Sequence, residues 1–115
     1  MPKKRNIKLF LNDILEAISN ILEYTKDIDD KQFSSDKKTR DAVLRNLEII
    51  GEATKSIPDT FKKEYKDINW RGISGMRDKL IHEYFGVSNQ IVWETIKNDI
   101  PTLKSQVEVI IKNLD

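Results

Sequence analysis

Ile7-Lys8-Leu9-Phe10-Leu11-Asn12-Asp13-Ile14-Leu15-Glu16-Ala17-Ile18-Ser19-Asn20-Ile21-Leu22-Glu23-Tyr24 decides the fold class. Ile7, Leu11, Ile14, Ile18 and Ile21 recur in alternating steps of four and three, the period of one buried stripe on an α-helix. Phe10, Leu15 and Leu22 widen the stripe. The spacing predicts a helix over about 7–24, broken afterwards by Asp27, Asp29 and Asp30.

The same reading extends along the chain. A second helix is expected to start near Ser34-Ser35-Asp36, all good N-caps, with Val43, Leu47, Ile50, Thr54 and Ile57 as its stripe. Pro58 stops it, since the residue before a proline is pushed out of the α region. Pro58 also suits the opening of a short helix, with Ser56 as cap and Phe61 and Tyr65 as its buried side. Asn69 is the expected cap of a third helix, Trp70 to about Phe85, whose apolar side is Ile73, Met76, Leu80 and Ile81. Gly72 and Gly75 each cost that helix up to about 1 kcal/mol relative to alanine, which implies a close approach of another helix or backbone there. Gly86 reads as its stop. Ser88 caps a fourth helix with Val92, Ile96, Leu103, Val107 and Ile110 as its stripe, and Pro101 is expected to kink or split it near Asn98-Asp99. The fold class is therefore all-α, a four- to five-helix bundle. Its inner faces are aliphatic and lack paired inward Glu-x-x-His motifs, which argues against a di-metal carboxylate bundle.

The 115 residues suit a single domain, 1–115. Hydrophobic residues at 38% and charged residues at 34% fit a water-exposed helical domain and argue against disorder. No apolar run approaches the ~18 residues of a membrane span. Met1-Pro2-Lys3-Lys4-Arg5 leads into an amphipathic segment with Asp13 and Glu16, unlike a signal peptide, so a cytoplasmic location is expected. Absence of Cys excludes a disulfide framework and a thiolate metal site. The net charge of +1 lacks the strong basic excess of many nucleic-acid binders, so any RNA contact must be local. Lys3-Lys4-Arg5, Lys37-Lys38-Arg40 with Arg45, and Arg71 with Arg77 are the available patches; the first two read more simply as solvated faces.

The one histidine is His82. At about 100° per residue, Arg77, Ile81 and Tyr84 fall near one stripe of the third helix, and Asp78 and His82 on an adjoining one. Two helical turns thus gather a guanidinium, a carboxylate, an imidazole and a phenol. That set suits cleavage of an RNA phosphodiester. Imidazole can take the proton of an attacking 2′-hydroxyl or give one to the leaving 5′-oxygen. Arginine donors can stabilise charge on the phosphoryl oxygens. Asp78, four residues before His82, is placed to favour the imidazolium. One histidine does not easily act as both base and acid, so the inventory suggests a site shared in a symmetric dimer. No phosphate-binding glycine loop, nucleophile elbow or metal-ligand set stands beside it. Trp70 and Trp93 read as packing anchors.

Arg77-Asp78-Lys79-Leu80-Ile81-His82-Glu83-Tyr84 resembles the Arg-x4-His-x-Tyr motif of HepT-like toxins in the HEPN superfamily. Leu47-Glu48-Ile49-Ile50-Gly51-Glu52-Ala53 is similar to that family's second-helix segment. Ile68-Asn69-Trp70 and Ile73-Ser74-Gly75-Met76 resemble its approach to the motif, and Val92-Trp93 and Ile100-Pro101 its final helix. The resemblance implies a two-fold homodimer of HEPN bundles with motifs facing each other. It also implies a metal-independent endoribonuclease toxin, without cofactor, acting on RNA and not on DNA or membranes. Its cognate partner would be a minimal nucleotidyltransferase antitoxin that adds AMP to the motif tyrosine. Carried over, Arg77 and His82 are catalytic, Tyr84 is the modification site and Asp78 is a supporting residue. Gly51-Glu52 is assigned to packing near the site. The alternatives are a non-catalytic HEPN module that binds nucleotides or a nucleotidyltransferase, and a purely structural dimeric bundle; the Arg77–His82 pair weighs against the last.

Overall fold

The computed structural model describes residues 4–82 and 88–114, with the side chains of Lys4 and Arg5 excepted. Expectations for Lys3-Lys4-Arg5, Tyr84, the helix end at Phe85 and the stop at Gly86 lie outside the described residues. Seven α-helices follow in order: α1 (Lys4–Thr25), α2 (Asp30–Ser35), α3 (Lys37–Ser56), α4 (Asp59–Lys62), α5 (Trp70–His82), α6 (Asn89–Glu94) and α7 (Ile100–Leu114). A π turn, Thr95–Asp99, joins α6 to α7. The architecture is the expected all-α bundle, with α1, α3, α5 and the α6–α7 unit as its long members and no strand among the described residues.

The stripes read from the sequence form the core. Ile7, Leu11, Ile14, Ile18 and Ile21 of α1 are buried, as are Val43, Leu47, Ile50, Thr54 and Ile57 on or beside α3. Val92, Ile96, Leu103, Val107 and Ile110 close the core from α6, the π turn and α7. α3 is central: α1 packs on one side of it and α5 on another, while α7 packs on α1. The α1–α3 seam also buries one polar contact. Asn20 Nδ2 donates to Asn46 Oδ1 (3.1 Å), and Asn46 Nδ2 donates to the Ala42 carbonyl (2.8 Å). Both members are thus satisfied, which limits the cost of burying an amide.

Helix starts follow their caps. Asp36 Oδ1 accepts from the Thr39 backbone N–H at the head of α3 (3.1 Å), and Ser88 Oγ accepts from Ile91 N–H at the head of α6 (3.4 Å). Asn69 Oδ1 accepts from Gly72 N–H at the head of α5 (3.0 Å), as its position in the sequence predicted. Trp70 Nε1 donates to the Tyr65 carbonyl (3.0 Å) and fixes the turn that enters α5.

Four expectations are corrected. Between the break at Asp27–Asp30 and the helix start expected near Ser34-Ser35-Asp36, residues 30–35 form a separate short helix. Asp29 and Gln32 form a reciprocal capping box there, and the helix drops Phe33 into the core against Trp93, with ring centroids 5.4 Å apart. The Asp29-x-x-Gln32 spacing was the available signal. Ser56 does not cap α4; its hydroxyl donates back to the Glu52 carbonyl, and Pro58 stands at the cap position without a side-chain bond. Ile81, expected on the apolar side of α5, is 43% exposed. Ile73, Met76 and Leu80 already fill the strip of α5 that faces the core, and Ile81 lies about 80–140° around the helix from those residues. Among the described residues the close approach expected at Gly72 and Gly75 is absent. A Cβ on Gly72 would meet only the side chain of its own cap, Asn69, and one on Gly75 would meet nothing within 4 Å.

Pro101 acts as expected, through a defined device. It lacks an N–H, and its ring crowds the carbonyl four residues back. The chain widens into the π turn just before it, where Ile100 N–H reaches the Thr95 carbonyl, and resumes as α7. Trp93 sits at this junction with Lys97 Nζ over its ring, 4.7 Å from the centroid. Packing therefore accounts for Trp93, and Trp70, 8% exposed, is likewise part of the core.

Candidate active site

The close helix contact lies at a different glycine. A Cβ built on Gly51 of α3 would overlap Cβ and Cγ of Arg77 on α5, and would lie 3.3 Å from the Arg77 Cα. Gly51 is buried, so α3 and α5 meet there with the arginine stem lying across bare backbone. Arg77 is accordingly half-buried, and its Nε is sealed from solvent without a hydrogen-bond partner among the described residues. Its Nη1 donates to Asp78 Oδ1 at 3.1 Å. The same oxygen accepts from Lys55 Nζ of α3 at 2.5 Å. The guanidinium is thus held by burial at its root and by a carboxylate at one edge.

Both cations hold the Asp78 carboxyl below the usual carboxylate range, Lys55 most and Arg77 next. Asp78 pairs with these two cations, and the contact with His82 expected from the spacing is not among its contacts. A carboxylate with a lowered folded-state pKa stabilises the fold above the ordinary aspartate range, near pH 4, and that contribution is lost as pH falls through the lowered value. The difference in urea midpoint between wild type and Asp78→Asn is therefore expected to be small, constant through neutral pH, and to vanish on acidification below about pH 4. A difference that grows on acidification would contradict this assignment.

His82 is the last described residue of α5 and is exposed. It lies five residues beyond Arg77, about 7.5 Å along the helix and about 140° around it. The structure therefore places one proposed residue on the solvent face and leaves the other leaning on α3. Among the basic patches, Arg45 is paired with Glu48 at 3.4 Å and stands 4.0 Å from Glu52, and Arg40 donates to the Ser34 carbonyl. Arg71 is exposed near the start of the same helix as Arg77. A cleft of about 290 Å³ between α3, α5 and α7 contains none of these groups. Its floor is Leu47, Ile50, Ile73, Met76, Ile100 and Leu103, and Asp67 and Asp99 stand at its edge. An apolar floor with acidic neighbours suits a phosphodiester poorly, and the Arg77–His82 segment is the better candidate for chemistry.

Comparison with known proteins turns this geometry into an assignment. Residues 14–110 match the family described as Ribonuclease HepT-like. The chain belongs to the HepT-like ribonuclease family. It is 52% identical over 109 residues to a probable ribonuclease HepT of Thermococcus cleftensis, covering 95% of this chain and 99% of that one. Two candidate RNases of Methanocaldococcus jannaschii are 50% and 44% identical over 115 residues, covering all of this chain and 98% and 94% of theirs. No solved structure matches the chain. The resemblance drawn from the motif is thereby shown as membership of the HepT-like family over most of the sequence. Lys55 had no place in that motif. Its carboxylate lies 23 positions away in the chain, a contact that only the α3–α5 packing creates.

Proposed function

We propose that this HepT-like protein is a metal-independent endoribonuclease and the toxin of a HEPN/nucleotidyltransferase pair, acting in the cytoplasm as a two-fold dimer. The observation that carries the proposal is the arginine seat: a charged fork held by Gly51 and Asp78 on the helix that also carries an exposed His82. In this reading Arg77 binds the scissile phosphate and stabilises charge building on its oxygens. His82 takes the proton of the 2′-hydroxyl as it attacks phosphorus. A second copy of His82 protonates the 5′-oxygen as that bond breaks, leaving a 2′,3′-cyclic phosphate and a free 5′-hydroxyl. The wide angle between Arg77 and His82 on one helix supports a site completed by a second chain. An isologous interface brings two copies of one motif together.

Silencing by AMP transfer to Tyr84 completes the proposal. Tyr84 lies seven residues after Arg77, hence on nearly the same side if the helix continues. An attached phosphate beside Arg77 would pair with it and exclude the RNA phosphate. The test has two arms. Purified protein is expected to cut RNA in excess chelator, with cyclic-phosphate ends; strict dependence on Mg²⁺ would overturn the mechanism. Incubation with a minimal nucleotidyltransferase and ATP is expected to add AMP to wild type but not to Tyr84→Phe, by intact mass. Equal modification of both, or full cleavage by modified protein, would overturn the control scheme.

A further inference from the structure

Lys55 sits near the end of α3, one helical turn beyond Gly51, so both fall on the side of α3 that faces α5. Its Nζ lies 2.5 Å from Asp78 Oδ1, the same oxygen that Arg77 Nη1 reaches at 3.1 Å. Neighbouring residues on a helix diverge by about 100° and do not face each other, so Asp78 has no intrinsic reason to lie against Arg77. A cation from the adjoining helix supplies one, because it draws the carboxylate toward the α3–α5 seam where the guanidinium is rooted. Charge matters as well as direction. Arg77 and Asp78 alone sum to zero and would offer little to an anion; with Lys55 the triad carries a net positive charge. Arg45, the other cation on this stretch of α3, is occupied with Glu48 and Glu52 and cannot serve instead.

We propose that Lys55 is a positioning residue for Arg77: through Asp78 it orients the guanidinium and keeps the arginine seat cationic. The inference rests on the reading of Arg77 as the phosphate-binding residue, and its test includes a measurement that does not depend on cleavage. In steady-state RNA cleavage, Lys55→Met is expected to lower kcat about tenfold or more, as a misplaced catalytic group does, with KM within about twofold of wild type. Lys55→Arg is expected to restore most of kcat, because it restores the cation. Adding Lys55→Met to Asp78→Asn is expected to cause little further loss, since both act along one route. Independently, the Arg77 Nε–H signal in ¹⁵N NMR is expected to be sharp in wild type and broadened in Lys55→Met. An increase in KM with unchanged kcat would mean that Lys55 touches RNA directly and would overturn the proposal. So would an Arg77 signal identical in wild type and Lys55→Met. If wild type does not cleave RNA, the ribonuclease reading fails and the NMR comparison still decides whether Lys55 orders Arg77.

Discussion

His82→Ala and Arg77→Ala are each expected to abolish detectable RNA cleavage while the protein stays folded. His82 is exposed on α5, so removing its ring takes nothing from the core, and the stability of His82→Ala is expected to match wild type within about 0.5 kcal/mol. Loss of a general acid–base group costs about 10²–10⁴-fold in rate, and both copies vanish together in a symmetric dimer. In the proposed mechanism Arg77→Ala removes the donors that stabilise the phosphoryl oxygens, worth about 10²–10³-fold for a single such group. Arg77→Lys is expected to be nearly as inactive. A lysine keeps the charge, but it lacks the planar fork that can bind Asp78 at one edge and a phosphate at another. Cleavage assays paired with circular dichroism and urea melts check all three variants. Full activity in His82→Ala, or rescue by Arg77→Lys to wild-type rate, would show that the chemistry lies elsewhere.

Gly51→Ala, a change of one methyl group far from any reacting atom in sequence, is expected to lose about 10²-fold in cleavage. The new Cβ would occupy the place of Arg77 Cβ and Cγ, next to the Arg77 Cα. These atoms belong to the root of the side chain and cannot swing away, so α3 and α5 must separate or α5 must shift. Overpacking of this kind costs about 1–3 kcal/mol. The gain in helix propensity offsets about 1 kcal/mol of it. Stability should therefore fall modestly, and activity much more, because the shift displaces the guanidinium itself. Gly75→Ala is the contrasting case. Its Cβ would meet no described residue within 4 Å, so it is expected to gain up to about 1 kcal/mol in chemical denaturation. Wild-type cleavage and stability in Gly51→Ala would refute the proposed seat.

Much of the fold was legible because aliphatic side chains repeat at the helical period with few interruptions. Ile7 through Ile21, Val43 through Ile57 and Val92 through Ile110 are buried as their spacing requires. Asn69, Ser88 and Pro101 marked starts and a break through local chemistry, a cap side chain or a missing N–H, which acts within a turn of its own position. The failures share a cause. Phe33 was not singled out, because one aromatic residue in six has no periodicity to reveal it; its helix exists through the Asp29–Gln32 box and the space beside Trp93. Ile81 looked like core because α5 taken alone does not say how wide a strip α3 and its neighbours will cover.

The site divides in the same way. By itself the sequence determined the helical class, the stripes that face inward and the presence of Arg77, Asp78 and His82 within two turns of one helix, since these depend on spacing along a single regular element. Which glycine lets two helices touch depended on the crossing of α3 and α5. Gly72, Gly75 and Gly51 are alike as letters, and only Gly51 lies under another helix. The partner of Asp78 was likewise undecidable from spacing. His82 is near in sequence, but the carboxylate goes to Lys55 and Arg77, because packing brings a lysine from 23 residues away to within 2.5 Å while the imidazole points to solvent. Local periodicity fixes which way a residue faces on its own helix; only tertiary packing fixes what waits there to meet it.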